Sequence, residues 1–348
     1  MHTVDGEKRV NRELAIPMIH RALDAGVNYV DTAVMYCEGD SQRAVGEALE
    51  GRRSEVVLST KNHCYSDDER EWWQHLEDSL TRLRTDYIDI YNHHGVRWVR
   101  MEEAVLPRLS KWMQKAKDQG MIRHICCSFH DTNENLIKVI ETDYPDVLTV
   151  QYNLLDRSLE EGIARAHDAG IGVVIMGPVA GGRLGVPSDS LRSVLPEVER
   201  VPELALRFVL TNPNISLALS GMSTMEHVEE NTRVASDARK LTSEQIDAIE
   251  RHMARLKEMA DLYCSGCGYC MPCPKGVTIP KVFQLFNMGR VYDMWEPARQ
   301  RYRTQLIENA KGADQCIGCG LCEPKCPQNL KIRDELKRAH KALTNSGS

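Results

Sequence analysis

Between residues 11 and 258 the chain alternates two hydrophobic periods. Short runs rich in Val and Ile, closing on polar residues, recur as VNYVDTA (27–33), VVLSTK (56–61), YIDIYNHH (87–94), IRHICCSF (122–129), VLTVQYN (147–153), GVVIMGP (172–178) and SLALSGM (216–222). Their length and β-branched content predict strands. Between them the apolar spacing changes to that of amphipathic helices, as in ENLIKVIETD and SLEEGIARAHDAG. Strand followed by helix, repeated about every 25–45 residues, predicts a parallel sheet joined by helical crossovers. Seven such units favour an α/β fold of the closed (β/α)8 TIM-barrel type over a short doubly wound sheet.

The alternation stops after LTSEQIDAIERHMARLKEMADLY. Thr242 followed three residues later by Gln245 is a capping-box signature, and Ile246, Ile249, Met253, Leu256 and Met259 share one helical face. Two further helical stretches follow, IPKVFQLFNMGRVYDMWEPARQRYRTQLIENAKG and NLKIRDELKRAHKAL. Cysteine-rich runs flank the first of them. The pattern therefore predicts two domains, a barrel over 1–258 and a small α-helical module over 259–348.

Composition narrows the function classes. The 348 residues are 42% hydrophobic, ordinary for a globular chain. No apolar run approaches about 18 residues, so no membrane span is expected. The N-terminus, MHTVDGEKRV, has no apolar core of a secretory signal, which predicts a cytoplasmic protein. A net charge of −6 argues against nucleic acid as a partner.

Eight of the twelve cysteines lie after residue 263. Without an export signal they read as metal ligands rather than disulfides. Cys316, Cys319, Cys322, Cys326 and Pro327 follow C-x2-C-x2-C-x3-C-P, in which the fourth cysteine serves a neighbouring iron–sulfur cluster. Cys264, Cys267, Cys270, Cys273 and Pro274 follow it with a shorter last gap. Two [4Fe-4S] clusters with crossed ligands are expected: one on Cys264, Cys267, Cys270 and Cys326, the other on Cys316, Cys319, Cys322 and Cys273. Gly266, Gly268, Gly318 and Gly320 let the backbone wrap closely round the sulfurs. Two zinc sites of four cysteines each are the alternative, although zinc modules usually separate their C-x2-C pairs.

In a barrel of this kind the chemistry sits at the C-terminal ends of the strands. Those ends offer Asp31, with Tyr36 in the loop beyond, then Lys61, then His94 after His93. A lysine cation beside a phenol makes the phenol a workable acid near neutral pH. Asp31 would hold the lysine, and His94 would hydrogen-bond a carbonyl oxygen. Each residue alone has an ordinary reading, as an N-cap, a solvated charge or a packed histidine. Only the combination points to protonation of an oxyanion after hydride delivery.

The segments DTAVMY, VVLSTK, DYIDIYNHHG and SGMSTMEHVEEN resemble the aldo-keto reductase superfamily, and the whole chain resembles its branch with a C-terminal 4Fe-4S ferredoxin-type domain. The resemblance implies an oxidoreductase that reduces a small carbonyl, or oxidises an alcohol, with NAD(H) or NADP(H). It assigns the tetrad to Asp31, Tyr36, Lys61 and His94, the last because it closes D-x-Y-x-x-H from Asp89. Ser128 falls where a serine meets the carboxamide. Gly182, within GPVAGGRL, falls in the loop passing the pyrophosphate, and Gly221, Ser223, His227, Glu230 and Asn231 fall where the family grips adenosine. The sequence departs at Thr149, where a glutamine is usual, at Met176, where an aromatic is usual, and at Gly221 and His227, where cations read a 2′-phosphate. The family's first strand is missing from this sequence, leaving seven where eight are expected. His63, Trp98, His130 and Arg183 are candidates for the mouth. Hydride transfer moves two electrons and a cluster one, so an electron-transfer protein is a further expected partner. Two other readings stay open: a ferredoxin-coupled reductase without nicotinamide, and a non-catalytic barrel carrying an electron-relay module.

Overall fold

The computed structural model describes residues 9–180, 184, 191, 194–195, 198, 200–237, 239–258, 264, 270–326 and 330–345. Gly182, Arg183, Met259, Cys267 and Pro327 lie outside these. The chain forms two compact units, residues 1–181 with 205–240, and residues 182–204 with 241–348.

The first unit is built on seven strands: β1 (Tyr29–Asp31), β2 (Val57–Asn62), β3 (Ile88–Val96), β4 (Ile122–Phe129), β5 (Val147–Gln151), β6 (Gly172–Met176) and β7 (Leu217–Ala218). All pairs are parallel and each strand neighbours the next in sequence. The strand–helix reading thus holds, with two differences at the margins. β7 has two residues where seven were expected, and β1 has three. Each has one partner strand among the described residues, and a strand with a single ladder is stabilised along one edge only. β3 in contrast runs on past His94 to Val96, because Val96 pairs with Phe129 after a register shift beyond His93.

The crossovers include α1 (Arg12–Asp24), α2 (Asp40–Ala48), α3 (Glu69–Leu83), α4 (Ser110–Asp118, preceded by a π-helical segment Met101–Leu109), α5 (Asn133–Glu141), α6 (Glu160–Asp168), α7 (Val201–Thr211) and α8 (Met225–Ser236). Their apolar faces cover the sheet, as where buried Trp72 of α3 meets Tyr91 of β3 ring-to-edge at 6.0 Å. Buried polar groups tie the layers. Gln42 of α2 donates to Thr60 Oγ1 at 2.8 Å and Ser79 Oγ at 3.0 Å. Asp89 accepts from Leu58 N at 2.9 Å, Arg53 at 2.7 Å and Arg123 at 2.8 Å, which locks β3 against β2.

In the second unit, α9 (Ser243–Glu258) opens with the expected capping box. Thr242 N donates to Gln245 Oε1 at 2.9 Å and Gln245 N to Thr242 Oγ1 at 3.3 Å. On its predicted apolar face Ile249 is buried and Ile246 and Met253 are half-buried. The stretch between the cysteine runs folds as α10 (Ile279–Tyr292) and α11 (Trp295–Arg301), and α12 (Ile332–Thr344) follows the second run. Tyr302, 1% exposed, joins three parts of this unit. Its hydroxyl accepts from Ala313 N at 2.9 Å and shares a hydrogen bond with His340 Nδ1 at 2.8 Å. Among the described residues no helix is long and apolar enough to cross a membrane.

Gly46 sits where α2 crosses the end of α3. A Cβ there would lie 2.6 Å from Arg82 O and 2.8 Å from Leu83 C. Backbone cannot move aside as a side chain does, so Gly46→Ala should cost about 1–3 kcal/mol through overpacking, despite alanine's better helix propensity. The check is a lower urea midpoint at unchanged slope. A raised midpoint would mean that propensity outweighs the clash.

Candidate active site and cysteine cavity

β1, β2 and β3 bring three of the four tetrad residues together. Asp31 ends β1, Lys61 lies one residue from the end of β2, and His94 lies in the last part of β3. Lys61 is 3% exposed, and its ammonium lies within the site. It donates to Asp31 Oδ2 and, at 2.9 Å, to Thr32 O. Asp31 Oδ1 in turn accepts from Ser59 Oγ at 2.9 Å. Ser59 Oγ accepts from Asn92 Nδ2 at 3.0 Å, and Asn92 Oδ1 accepts from Thr149 Oγ1 at 3.4 Å. The buried cation thus has a counter-charge whose orientation is fixed by a hydrogen-bonded chain reaching β5.

Tyr36 opens a one-turn 3-10 helix, Tyr36–Gly39, in the loop after β1. The two residues after it, Cys37 and Glu38, have φ of 51° and 53°, left-handed backbone that costs non-glycine residues roughly 1–3 kcal/mol each. The phenol is 42% exposed. Lys61 Nζ lies 5.1 Å from its ring centroid, and the His94 ring stands edge-on to it at 6.1 Å and 84°. The cation therefore faces the phenol ring, while its hydrogen bonds go to Asp31 and Thr32.

His94 is held neutral. Burial, with the charges of Lys61, His130 and His63, pushes its pKa down to about 4. Its Nδ1 is buried with no hydrogen-bond partner, and its carbonyl accepts from Tyr65 at 2.9 Å. His93, next to it, faces away from this group. It is buried, bonds Tyr144 at 2.8 Å and is driven by burial to about 3.

The other sequence candidates fall in separate places. Ser128 is buried at the end of β4, with Oγ 3.5 Å from His130 Nε2. Gly221, Ser223 and His227 are exposed around the start of α8, whose N-cap Thr224 accepts from His227 N at 3.1 Å. Asn231 donates to Ser220 Oγ at 2.9 Å, and Glu230 is buried on the same helix.

In the second unit a cavity of about 270 Å³ is lined by Cys270, Cys273, Cys316, Cys319 and Cys322. Two thiols from the end of the first run, Cys270 and Cys273, thus meet three from the second. Lys275, Lys325 and Arg333 also line it, and among the described residues no carboxylate or imidazole does. Soft sulfur donors with cationic neighbours fit an anionic iron–sulfur group. Gly318 and Gly320 adopt φ of 71° and 74°, the left-handed conformation that lets the loop curl between successive cysteines. No disulfide forms among the described cysteines.

The sequence profile of the aldo/keto reductase family matches residues 1–254. The chain belongs to this family. The profile of the 4Fe-4S dicluster domain matches residues 263–332. An uncharacterized oxidoreductase of Bacillus subtilis, YqkF, is 30% identical over 275 residues, 68% of this chain and 87% of its own. The aldo-keto reductase AKR11C1 from Bacillus halodurans, in its holo form, superposes with a TM-score of 0.62 at 28% identity, over 68% of this chain and 86% of its own. An aldo/keto reductase from Klebsiella pneumoniae, in complex with NADP and acetate, gives 0.60 at 26%, over 69% and 85%. The strand order of the first unit is thus that of an aldo/keto reductase (β/α)8 fold with seven strands described.

Sequence reading passed over Ser59 and Asn92. A signal was present, since Ser59 and Lys61 stand at a spacing of two in β2, which puts both on one face.

Because His93 and His94 are both depressed below the ordinary imidazole value near 6.5, the unfolded chain binds more protons than the folded one between that value and the folded pKa. Stability from these two groups is full above about pH 6.5 and is lost as pH falls toward 4. His93→Gln should flatten the loss between about pH 6.5 and 5, above the carboxylate range. Equal slopes for variant and parent would remove His93 from the account.

Proposed function

We propose that residues 1–258 reduce a small carbonyl, or oxidise the corresponding alcohol, at Asp31, Tyr36, Lys61 and His94, and that residues 259–348 carry electrons through two [4Fe-4S] clusters. The observation that carries the first part is the buried Lys61 ammonium, paired with Asp31 and facing the ring of an exposed phenol beside a neutral imidazole. A nicotinamide dinucleotide, NAD(H) or NADP(H), would, when bound, supply or accept the hydride at the carbonyl carbon. The Klebsiella pneumoniae relative in complex with NADP supports this choice, as do Ser128 at the reacting end and the exposed turn of Gly221, Ser223 and His227. Tyr36 gives its hydroxyl proton to the carbonyl oxygen as that atom gains negative charge, and recovers a proton from water. His94, neutral, hydrogen-bonds the same oxygen and orients it. Lys61 stabilises the phenolate left behind, and Asp31 keeps the ammonium charged and in place.

For the second part, Cys316, Cys319 and Cys322 with Cys273 hold one cluster, and Cys264, Cys267 and Cys270 with Cys326 the other. The cavity that gathers Cys273, with Cys270 beside it, and the three cysteines of the second run brings the two runs together as this crossing requires. The exposed Ile317 and Leu321 beside those cysteines suit contact with an electron-transfer protein.

Tyr36→Phe keeps the ring and removes the proton. It should lower carbonyl reduction by about 10² or more while leaving dinucleotide affinity, read by anaerobic titration with NADH and NADPH, unchanged. Undiminished turnover would take Tyr36 out of the mechanism. Anaerobically purified protein should contain about eight iron and eight sulfide per chain, and Cys273→Ser should disturb the centre held by the second run more than the other. Stoichiometric zinc without acid-labile sulfide would overturn the cluster assignment.

A further inference from the structure

The loop leaving β2 enters α3 through HCYSDDEREWWQH, His63 to His75. None of these side chains belongs to the tetrad. Cys64, Glu71 and His75 nevertheless come together: the thiol sulfur, a carboxylate oxygen and an imidazole nitrogen all lie within 4.8 Å of one another. We propose that Cys64, Glu71 and His75 bind a zinc-class divalent cation, with His63 as the adjacent further donor.

The local fold explains the convergence. Asp68 caps α3, accepting from Arg70 N at 2.9 Å. Glu71 and His75 then stand one turn apart, at i and i+4, on one helix face. Asn62 Oδ1 accepts from Cys64 N at 2.8 Å, which fixes the turn that brings the thiol to that face. Cys64 is buried, His75 half-buried and Glu71 exposed, so the group is open on its carboxylate side. His63 supplies a second, independent observation. Its ring lies 4.9 Å from that of His75, and its Nδ1 is buried with no hydrogen-bond partner. A buried imidazole nitrogen in that condition is costly unless something occupies its lone pair or takes its proton.

The donor set selects the ion. One sulfur, one carboxylate and imidazole nitrogen make up the ligand types of zinc. Zinc bond lengths place tetrahedral ligand atoms about 3.5 Å apart, so the present spacing needs only rotamer adjustment. Binding replaces the Cys64 thiol proton, which passes to water, and the resulting thiolate with the Glu71 carboxylate balances the two positive charges. The ion would clamp the loop that follows Lys61 to the first two turns of α3.

The test uses the full chain, purified anaerobically with its iron content measured, equilibrated with zinc chloride and desalted. One zinc per chain is expected, with a zinc-edge absorption spectrum showing one sulfur and about three nitrogen or oxygen neighbours. Cys64→Ser and His75→Ala should each weaken zinc binding by more than the roughly 10–100-fold that loss of an outer-shell partner costs, with iron unchanged. Glu71→Gln, at the exposed end, reads the same site if the buried variants do not fold. Four sulfur neighbours would place the zinc in the cysteine runs and overturn the proposal. So would retention unaffected by these substitutions, or no zinc retained.

Discussion

An ammonium group almost without solvent contact has to be compensated within the sheet that buries it. Removing such an ion from water costs several kcal/mol unless a counter-charge and further hydrogen bonds replace the lost hydration. Lys61 receives both, from Asp31 and from the carbonyl of Thr32. The compensation depends on register. Asp31 sits opposite Ser59, Lys61 opposite Asn92, and Ser128 opposite Thr149, so the polar groups of adjacent strands meet on one side. A slip of one residue would turn each polar group to the other face and leave the charge buried alone. The same bonds that make the site electrostatically competent thus select the strand pairing.

The second unit is organised round a different need, the gathering of thiols that come from distant points of the chain. Tyr302 serves that need from a distance. By binding Ala313 N and His340 it fixes where the chain enters the second cysteine run relative to α12. Glu323 does the same from within the run, accepting from Arg333 N and Nε at 3.0 Å each. The cavity among the cysteines is therefore framed by neutral and ionic bonds that use no sulfur.

How much of this was legible in the sequence depends on whether a feature is local. The strand–helix alternation, the capping box at Thr242 and the helices between the cysteine runs follow from periods of two and 3.6 residues, which short stretches carry by themselves. The family resemblance named the tetrad positions, and the structure brings them into one neighbourhood. It did not reveal what holds Asp31, because Ser59, Asn92 and Thr149 are small polar residues whose meaning arises only when three strands are aligned. The lengths of β1, β3 and β7 depended on how many neighbours each strand finds, which no single segment records. Left-handed backbone at Cys37 and Glu38 was equally hidden, since neither residue favours it and tertiary contacts impose it.

That turn ties the phenol of Tyr36, the proposed acid, to a seam of ordinary packing. Cys37 packs against Val10, Ala15 and Ala44, where α1 meets α2, and a Cβ at Gly39, φ 86°, would lie 3.2 Å from the Arg82 guanidinium. A strained turn keeps its shape only while its surroundings leave it no lower alternative. In evolutionary terms, if Tyr36 is the acid, the small side chains of the α1–α2 seam answer to chemistry as well as to stability. An enlargement there that folds well would still release the turn and re-aim the acid, so drift in this seam is a route to altered turnover that leaves every reacting group in place.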